Sequence, residues 1–209
     1  DWRNYRWIYC RLTERVDAQI GRLLDALKKN GLEEKTLVVF TSDHGDMDGS
    51  HRLASKNVFY ENSAGVPFIM QYKGVIPPNK VDEKTLISNG LDLLPTFCDY
   101  ARVPAPEYLL GRSLRPVAEN RKDNSRRPFV VAENNTGRML RTARFKYCVY
   151  EKGKTRESLV DLSNDPGEMI NLASLKGFEN HLNKHRELMQ KWILESKDTE
   201  ANAFVITPN

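Results

Sequence analysis

The 209-residue chain is 40% hydrophobic and 29% charged, the composition of a globular protein that can bury a sizeable core. Its 32 basic and 28 acidic residues leave a net charge of +4, which does not favour nucleic acid as a partner. No stretch approaches the roughly 18 consecutive apolar residues of a membrane span. Three widely separated cysteines without a CxxC pair argue against a disulfide framework or a zinc finger, and we expect buried free thiols at Cys10, Cys98 and Cys148.

The first element is a helix predicted from about Tyr5 to Asn30. Asn30-Gly31 is a typical C-terminal stop for it. Apolar residues recur at steps of three and four and form one stripe: Leu12, Val16, Ile20, Leu23, Leu24 and Leu27. The chain starts within this pattern, without an initiator Met or the apolar core of a signal peptide, so we expect a piece of a longer protein.

A run of β-forming residues, Thr36 to Phe40, ends directly in Ser42-Asp43-His44-Gly45. Such a short, Val-rich run predicts a strand that is buried on both faces. Together with the preceding helix it favours an α/β fold with a parallel or mixed sheet flanked by helices. A second strand is predicted for Val66 to Tyr72. In open α/β sheets ligands bind beyond the carboxyl ends of the strands, so Asp43 and His44 are predicted to lie at the functional edge.

Four side chains in this region have suitable chemistry for a site. Asp43 and His44 offer a carboxylate and an imidazole to a divalent metal ion, although Ser-Asp-x-Gly also forms ordinary turns. Lys56 offers an ammonium that can stabilise an oxyanion or a leaving group, or it is a solvated surface lysine. His51 can donate a hydrogen bond to the same anion, or it is an ordinary loop residue without a role in the site.

The second half of the chain predicts a different architecture. A short helix is expected within Ser88 to Ala101, starting near Asp92 because Pro95 is tolerated only in a first turn. Residues 103–127 predict a linker or long loop. Short strand-like runs then predict an antiparallel sheet of three or four strands, packed with a helix within Leu175 to Ser196. The runs are Phe129–Glu133, Met139–Ala143, Phe145–Tyr150 and Ser158–Asp161.

The order of these motifs resembles the type I sulfatases of the alkaline phosphatase superfamily. The matching residues are Val16-Asp17-x-x-Ile20-Gly21, Ser42-Asp43-His44-Gly45-Asp46-Met47, Gly49-x-His51, Lys56, Tyr60-Glu61, Val66-Pro67, Asp92-Leu93-Leu94-Pro95-Thr96, Gly111-Arg112-Ser113-Leu114, Leu159-Val160-Asp161-Leu162, Asp165-Pro166-x-Glu168 and Asn171-Leu172-Ala173. The resemblance covers nearly the whole chain. It implies part of an alkaline-phosphatase-like sheet flanked by helices in residues 1–118, the C-terminal part of the catalytic domain. Residues 119–209 would form a small C-terminal α+β subdomain.

The resemblance also implies an activity, the hydrolysis of sulfuric esters, with a sulfated carbohydrate as the expected substrate. Asp43 and His44 would bind a divalent cation, usually calcium, in this family. Lys56 would contact the sulfate and the ester oxygen, and His51 would contact the substrate. The family's nucleophile is a formylglycine made from Cys or Ser in a C-x-P-S-R-like motif, which none of the three cysteines matches. We therefore expect the nucleophile to come from a preceding segment and the chain alone to be inactive. The family resemblance also implies that the protein is periplasmic or secreted.

Two alternative functions remain open at this stage. One is a phosphoester or phosphonate monoester hydrolase of the same superfamily, in which an Asp-His-Gly strand end binds zinc or manganese. The other is a non-catalytic module that keeps the fold. Arg138, Arg141 and Arg144 can contact a sulfated sugar, although we expect them to be exposed strand residues.

Overall fold

The computed structural model describes residues 1–121 and 127–206, which form two compact units. The first unit contains residues 1–81, 93–104 and 113–121, and the second contains residues 82–92, 105–112 and 127–206. The division predicted between residues 118 and 119 stays a prediction. Within the described ranges, no helix combines the length and the apolar character that crossing a membrane requires.

The first unit begins with helix α1 (Trp2–Lys29), which confirms the predicted helix. Asp1 caps its start, because its Oδ1 accepts a hydrogen bond from the Arg3 amide at 3.0 Å. Asn30 closes its end by donating from its side chain to the Ala26 carbonyl at 2.8 Å. No residue of α1 is buried, so its apolar stripe is largely exposed within the described part of the chain.

Strand β1 (Val38–Thr41) pairs with strand β2 (Phe68–Gln71) in a two-stranded antiparallel sheet. Of the parallel or mixed sheet that was predicted, the structure shows an antiparallel pair, because the connection, which contains the single-turn helix α2 (Glu61–Ala64), returns the chain in the opposite direction. The prediction that the strand is buried on both faces is wrong in this structure. The cross-strand partners Phe40 and Ile69 are 39% and 59% exposed, since two strands alone leave that face open.

Helix α3 (Asn89–Ala101) starts earlier than predicted and contains Pro95 in its interior. A proline has no amide hydrogen for the carbonyl four residues before it, which here is Leu91. The backbone of Gly111 approaches that carbonyl so closely that a Cβ on residue 111 would lie 1.8 Å from the Leu91 oxygen. The predicted start near Asp92 is wrong because the carbonyl that Pro95 leaves unpaired is covered by this approach.

The predicted loop is irregular apart from the single-turn helix α4 (Arg115–Ala118), and its residues 122–126 lie outside the described residues. It is nevertheless anchored. Asp92 is 0% exposed and accepts hydrogen bonds from the amides of Ser88 at 2.8 Å and Arg112 at 2.9 Å. Arg127 also pairs with the Asp92 carboxylate, at 2.5 Å. The Asp92 and Gly111-Arg112 motifs are therefore structural within the second unit, to which all of these residues belong.

The second unit contains the predicted small sheet, which has four antiparallel strands in sequential order: β3 (Phe129–Asn134), β4 (Gly137–Thr142), β5 (Phe145–Tyr150) and β6 (Glu157–Asp161). Helix α5 (Glu179–Ser196) packs against it and confirms the predicted C-terminal helix. The fully buried part of the core comes mainly from the sheet and α5, with Leu140, Tyr147, Val149, Leu159 and Met189 each at most 2% exposed, and Ala201 after α5 is also buried in it. The mixed α/β fold class is confirmed.

Two sequence-based expectations about side chains need correction. Arg138 is only 8% exposed, because Asp198 pairs with it at 3.1 Å and its guanidinium lies 4.5 Å from the Phe204 ring centre. The expectation of an exposed strand residue is therefore wrong at this position. The expectation of buried thiols holds for Cys148 but not for Cys98, which is half-buried, or for Cys10, which is exposed because α1 buries none of its residues.

Candidate functional site

The turn after β1 places the predicted ligands by its own hydrogen bonds. The Ser42 hydroxyl donates to the His44 carbonyl at 2.7 Å, and the His44 amide donates to Asp43 Oδ1 at 3.0 Å. The turn chemistry and the predicted ligand chemistry are therefore compatible, since Asp43 Oδ2 takes no part in these two bonds. The Asp43 side chain is 82% exposed.

Gly45 holds this turn against the next part of the chain. Its amide donates to the Ser63 carbonyl at 2.8 Å. A Cβ at residue 45 would lie 2.0 Å from the Asn62 carbonyl oxygen, so a side chain here would displace backbone. The glycine after Asp43-His44 thus sets where the two ligands lie relative to α2.

The imidazole of His44 has an assignable proton. Its Nδ1 lies 2.8 Å from the Gly45 carbonyl, which can only accept, so Nδ1 carries the hydrogen. Nε2 then has the free electron pair, and it lies 2.5 Å from Lys56 Nζ, which donates to it. Nε2 also lies 3.3 Å from Asp43 Oδ2. The structure therefore brings Asp43, His44 and Lys56 together.

The charges at this cluster are suited to a cation and an anion side by side. The hydrogen bond from the His44 amide lowers the pKa of the Asp43 carboxyl below its usual range, so Asp43 is ionised at neutral pH. Lys56 is exposed and brings a positive ammonium to the same place. A hard carboxylate oxygen and an unprotonated imidazole nitrogen are donors that fit a divalent metal ion.

Two donors do not complete a metal site. No group of three His, Cys, Asp or Glu side chains that could hold a metal lies within residues 1–121 and 127–206. Calcium takes about 6–8 oxygen ligands. Asp43 and His44 therefore fit as two ligands of a cation, whose remaining ligands would have to come from outside the described residues.

His51 is placed differently from the other three predicted residues. Its backbone is left-handed, at φ 52° and ψ 21°, and its ring stacks on Tyr60 with the centroids 3.7 Å apart. The structure does not bring it into hydrogen-bond contact with Asp43, His44 or Lys56. Its role in substrate contact stays a prediction.

The sequence did not reveal the residues that hold the loop between His44 and Lys56. The Tyr5 hydroxyl donates to Asp46, with 3.1 Å to Oδ1 and 3.2 Å to Oδ2. Arg6 Nε donates to the Asp48 carbonyl at 2.9 Å. A tyrosine and an arginine in the first turns of a helix give no signal of contacts some 40 residues away.

Comparisons with known proteins agree on one family. Residues 49–195 match the family model described as N-sulphoglucosamine sulphohydrolase, C-terminal. The Delta 4,5-hexuronate-2-O-sulfatase of Bacteroides thetaiotaomicron is 36% identical, over 95% of this chain and 43% of its own length. This chain thus spans less than half of that relative.

Solved structures agree as well. The structure of a 2-O GAG sulfatase gives a TM-score of 0.83 at 36% identity and is matched over 92% of this chain and 43% of that one. The phosphonate monoester hydrolase of Agrobacterium radiobacter gives a TM-score of 0.74 at 26% identity, over 87% of this chain and 39% of that one.

Proposed function

This chain belongs to the sulfatase family, and on that premise we propose that it forms part of the active site of a sulfuric ester hydrolase. The observation that carries the proposal is the cluster of Asp43, His44 and Lys56. Nε2 of His44 lies 3.3 Å from a carboxylate oxygen and 2.5 Å from an ammonium nitrogen. Two ligands for a metal ion and one positively charged side chain thus lie close together. Such a concentration of positive charge suits the binding of an anionic ester.

Asp43 and His44 are the residues that would hold a divalent cation, which is calcium in the proposal. When bound, such a cation stabilises negative charge on the oxygens of the substrate. Asp43 contributes because its carboxylate is ionised, and His44 because its Nδ1 hydrogen is committed to the Gly45 carbonyl. The backbone thereby fixes both the ring orientation and the tautomer of the ligand.

Lys56 is proposed to act on the leaving oxygen. Cleavage of the sulfur–oxygen ester bond moves negative charge onto that oxygen. Nε2 of His44 has a single electron pair, so a cation bound there would replace the contact with Lys56 and leave the three N–H donors of the ammonium for the ester. A fixed cationic donor at a developing oxyanion stabilises the transition state more than the ground state. His51 is proposed to contact the substrate from the neighbouring turn.

The proposed substrate is a sulfated saccharide. Two similar proteins are described as acting on such molecules, a hexuronate-2-O-sulfatase and a 2-O GAG sulfatase. The nucleophile in this proposal is a formylglycine from a part of the protein outside this chain. The 209-residue chain alone is expected to show no turnover.

A second candidate function is phosphonate monoester hydrolysis, which is favoured by the 26% identity to the Agrobacterium radiobacter enzyme. The deciding experiment assays the full-length protein on an aryl sulfate, an aryl phosphate and an aryl phosphonate that share one leaving group. We expect the highest kcat/KM on the sulfate. A clear preference for either phosphorus ester would contradict the proposal. If the protein hydrolyses none of the three esters and no sulfated disaccharide, the non-catalytic module is favoured.

A further inference from the structure

The loop of residues 46–57, called the site loop here, carries His51 and Lys56 and is held by helix α1. We propose that Tyr5 is a positioning residue for Lys56, because its hydroxyl holds the start of this loop and a backbone hydrogen bond joins that start to the residue before Lys56. The inference rests on the proposed role of Lys56 at the leaving oxygen, and it assigns a function to a helix that does not itself touch the reacting atoms.

The hydroxyl of Tyr5 donates to the Asp46 carboxylate, at 3.1 Å to Oδ1 and 3.2 Å to Oδ2. Asp46 opens the site loop and directly precedes Met47. Ser55 lies at the other end of the loop and directly precedes Lys56. The phenol therefore holds the start of the loop.

A backbone contact joins the same two ends. The Met47 amide donates to the Ser55 carbonyl at 2.8 Å, and the Met47 side chain is 0% exposed. Ser55 is thus held through its carbonyl by Met47, which follows the residue that Tyr5 anchors. The direction of the Lys56 side chain depends on these two bonds.

The site loop needs such restraint because its backbone is unusual. Five of its non-glycine residues have left-handed φ angles: Asp48 at 46°, His51 at 52°, Arg52 at 59°, Ser55 at 66° and Asn57 at 80°. L-residues disfavour this conformation, so it persists only where surrounding contacts determine it. A loop with this backbone would relax if its anchors were removed.

Two further contacts come from the same face of α1. Arg6 Nε donates to the Asp48 carbonyl at 2.9 Å and lies 3.5 Å from the carboxylate of Asp48. The ring of Trp2 packs on Gly49, where a Cβ would lie 3.0 Å from the ring. Residues 2, 5 and 6 share one helical face because of their spacing of three and four. Tyr5 is the central one of three anchors.

The consequence for the reaction lies in the leaving group. An ammonium that is displaced by a fraction of an ångström stabilises the leaving oxygen less well. The deficit matters most when the leaving alcohol is a poor leaving group, because that oxygen carries the most charge. Loss of the Tyr5 hydroxyl should therefore steepen the dependence of log(kcat/KM) on the pKa of the leaving alcohol.

The test uses the full-length protein and a series of aryl sulfates with different leaving-group pKa values. Tyr5→Phe removes only the hydroxyl, and Tyr9→Phe, an exposed tyrosine of the same helix, is the matched control. We expect Lys56→Ala to have the steepest slope, Tyr5→Phe an intermediate slope and Tyr9→Phe the wild-type slope. For the poorest leaving group, Tyr5→Phe should lose roughly 10- to 100-fold in kcat/KM.

The two hypotheses fail in different ways. A wild-type slope in Tyr5→Phe, together with a steepened slope in Lys56→Ala, would overturn the positioning role and leave the proposed function intact. If the wild-type protein has no activity, or Lys56→Ala does not change the slope, the proposed function fails. In that case, hydrogen exchange of the peptide spanning residues 46–57 tests whether Tyr5 restrains the site loop. Faster exchange in Tyr5→Phe than in Tyr9→Phe supports this restraint, and equal exchange overturns it.

Discussion

The ammonium of Lys56 lies 2.5 Å from Nε2 of His44 and donates a hydrogen bond to it. The contact joins the turn after β1 to the end of the site loop, so it fixes the position of Lys56 relative to His44. It also shows that the imidazole electron pair faces the ammonium and the Asp43 carboxylate, where a cation and an anion would meet.

Replacement of Lys56 is expected to impair the reaction without unfolding the protein, because the side chain is exposed. Lys56→Ala in the full-length enzyme should lower kcat by about 10²–10³, the usual effect of removing one oxyanion donor. Lys56→Arg should retain part of the activity. Lys73→Ala is the control, since it removes an exposed ion pair with Glu33 that should contribute little. Similar kinetics for Lys56→Ala and the control would contradict the role.

Replacement of Asp43 is expected to weaken cation binding. Asp43→Asn in the full-length protein should reduce calcium affinity at least about tenfold, because it removes an ionised ligand. The measurement is calorimetric titration of protein first stripped with chelator. Asp25→Asn on the exposed surface of α1 should leave the affinity unchanged. Wild-type calcium affinity in Asp43→Asn would exclude the carboxylate as a ligand.

A methyl group at Gly45 should disturb the site through the backbone. The added Cβ would lie 2.0 Å from the Asn62 carbonyl oxygen, so Gly45→Ala should lose about 1–3 kcal/mol of stability and displace His44. Gly21→Ala is the contrast, because nothing lies within 4 Å and alanine favours a helix by about 0.5–1 kcal/mol. Urea unfolding and kcat/KM of both variants check this. Unchanged stability and kcat/KM in Gly45→Ala would show that the Asn62 carbonyl can move away from residue 45 at little cost.

His185 should make the second unit sensitive to acid. Burial lowers its pKa below the ordinary value of 6.5; its Nδ1 donates to the His181 carbonyl at 2.7 Å. As the pH falls, His185 takes up a proton in the unfolded chain before it does so in the folded protein. Its contribution to stability is therefore fully present above about pH 6.5 and is lost below that pH. His185→Gln should therefore lose less of its urea midpoint between pH 7 and pH 5 than the wild type. Equal losses would show that the buried imidazole is not responsible.

The sequence was informative where the signal is local. The Val-rich run, the turn residues Ser42 to Gly45 and the alternating tail predicted β1, the ligand turn and the four-stranded sheet. Each of these is determined mainly by neighbouring residues. Asp43 and His44 were predicted as ligands from their position directly after a strand, and their role stays a prediction.

The sequence was uninformative where distant parts of the chain decide. The antiparallel partner of β1 depends on how a long connection returns, and the interior Pro95 depends on Gly111 covering the Leu91 carbonyl. Burial of Arg138 requires Asp198, which lies 60 residues away. The anchor from Tyr5 to Asp46 spans 41 residues, and no pattern in a single sequence links them.

The most direct test of the account is a crystal structure of the complete protein with calcium and sulfate. We expect a calcium ion bonded to the Asp43 carboxylate and to Nε2 of His44, in place of the Lys56 contact with that nitrogen. We also expect a sulfate oxygen within hydrogen-bond distance of Lys56 Nζ. Calcium and sulfate bound together at a site that includes none of these three side chains would contradict it.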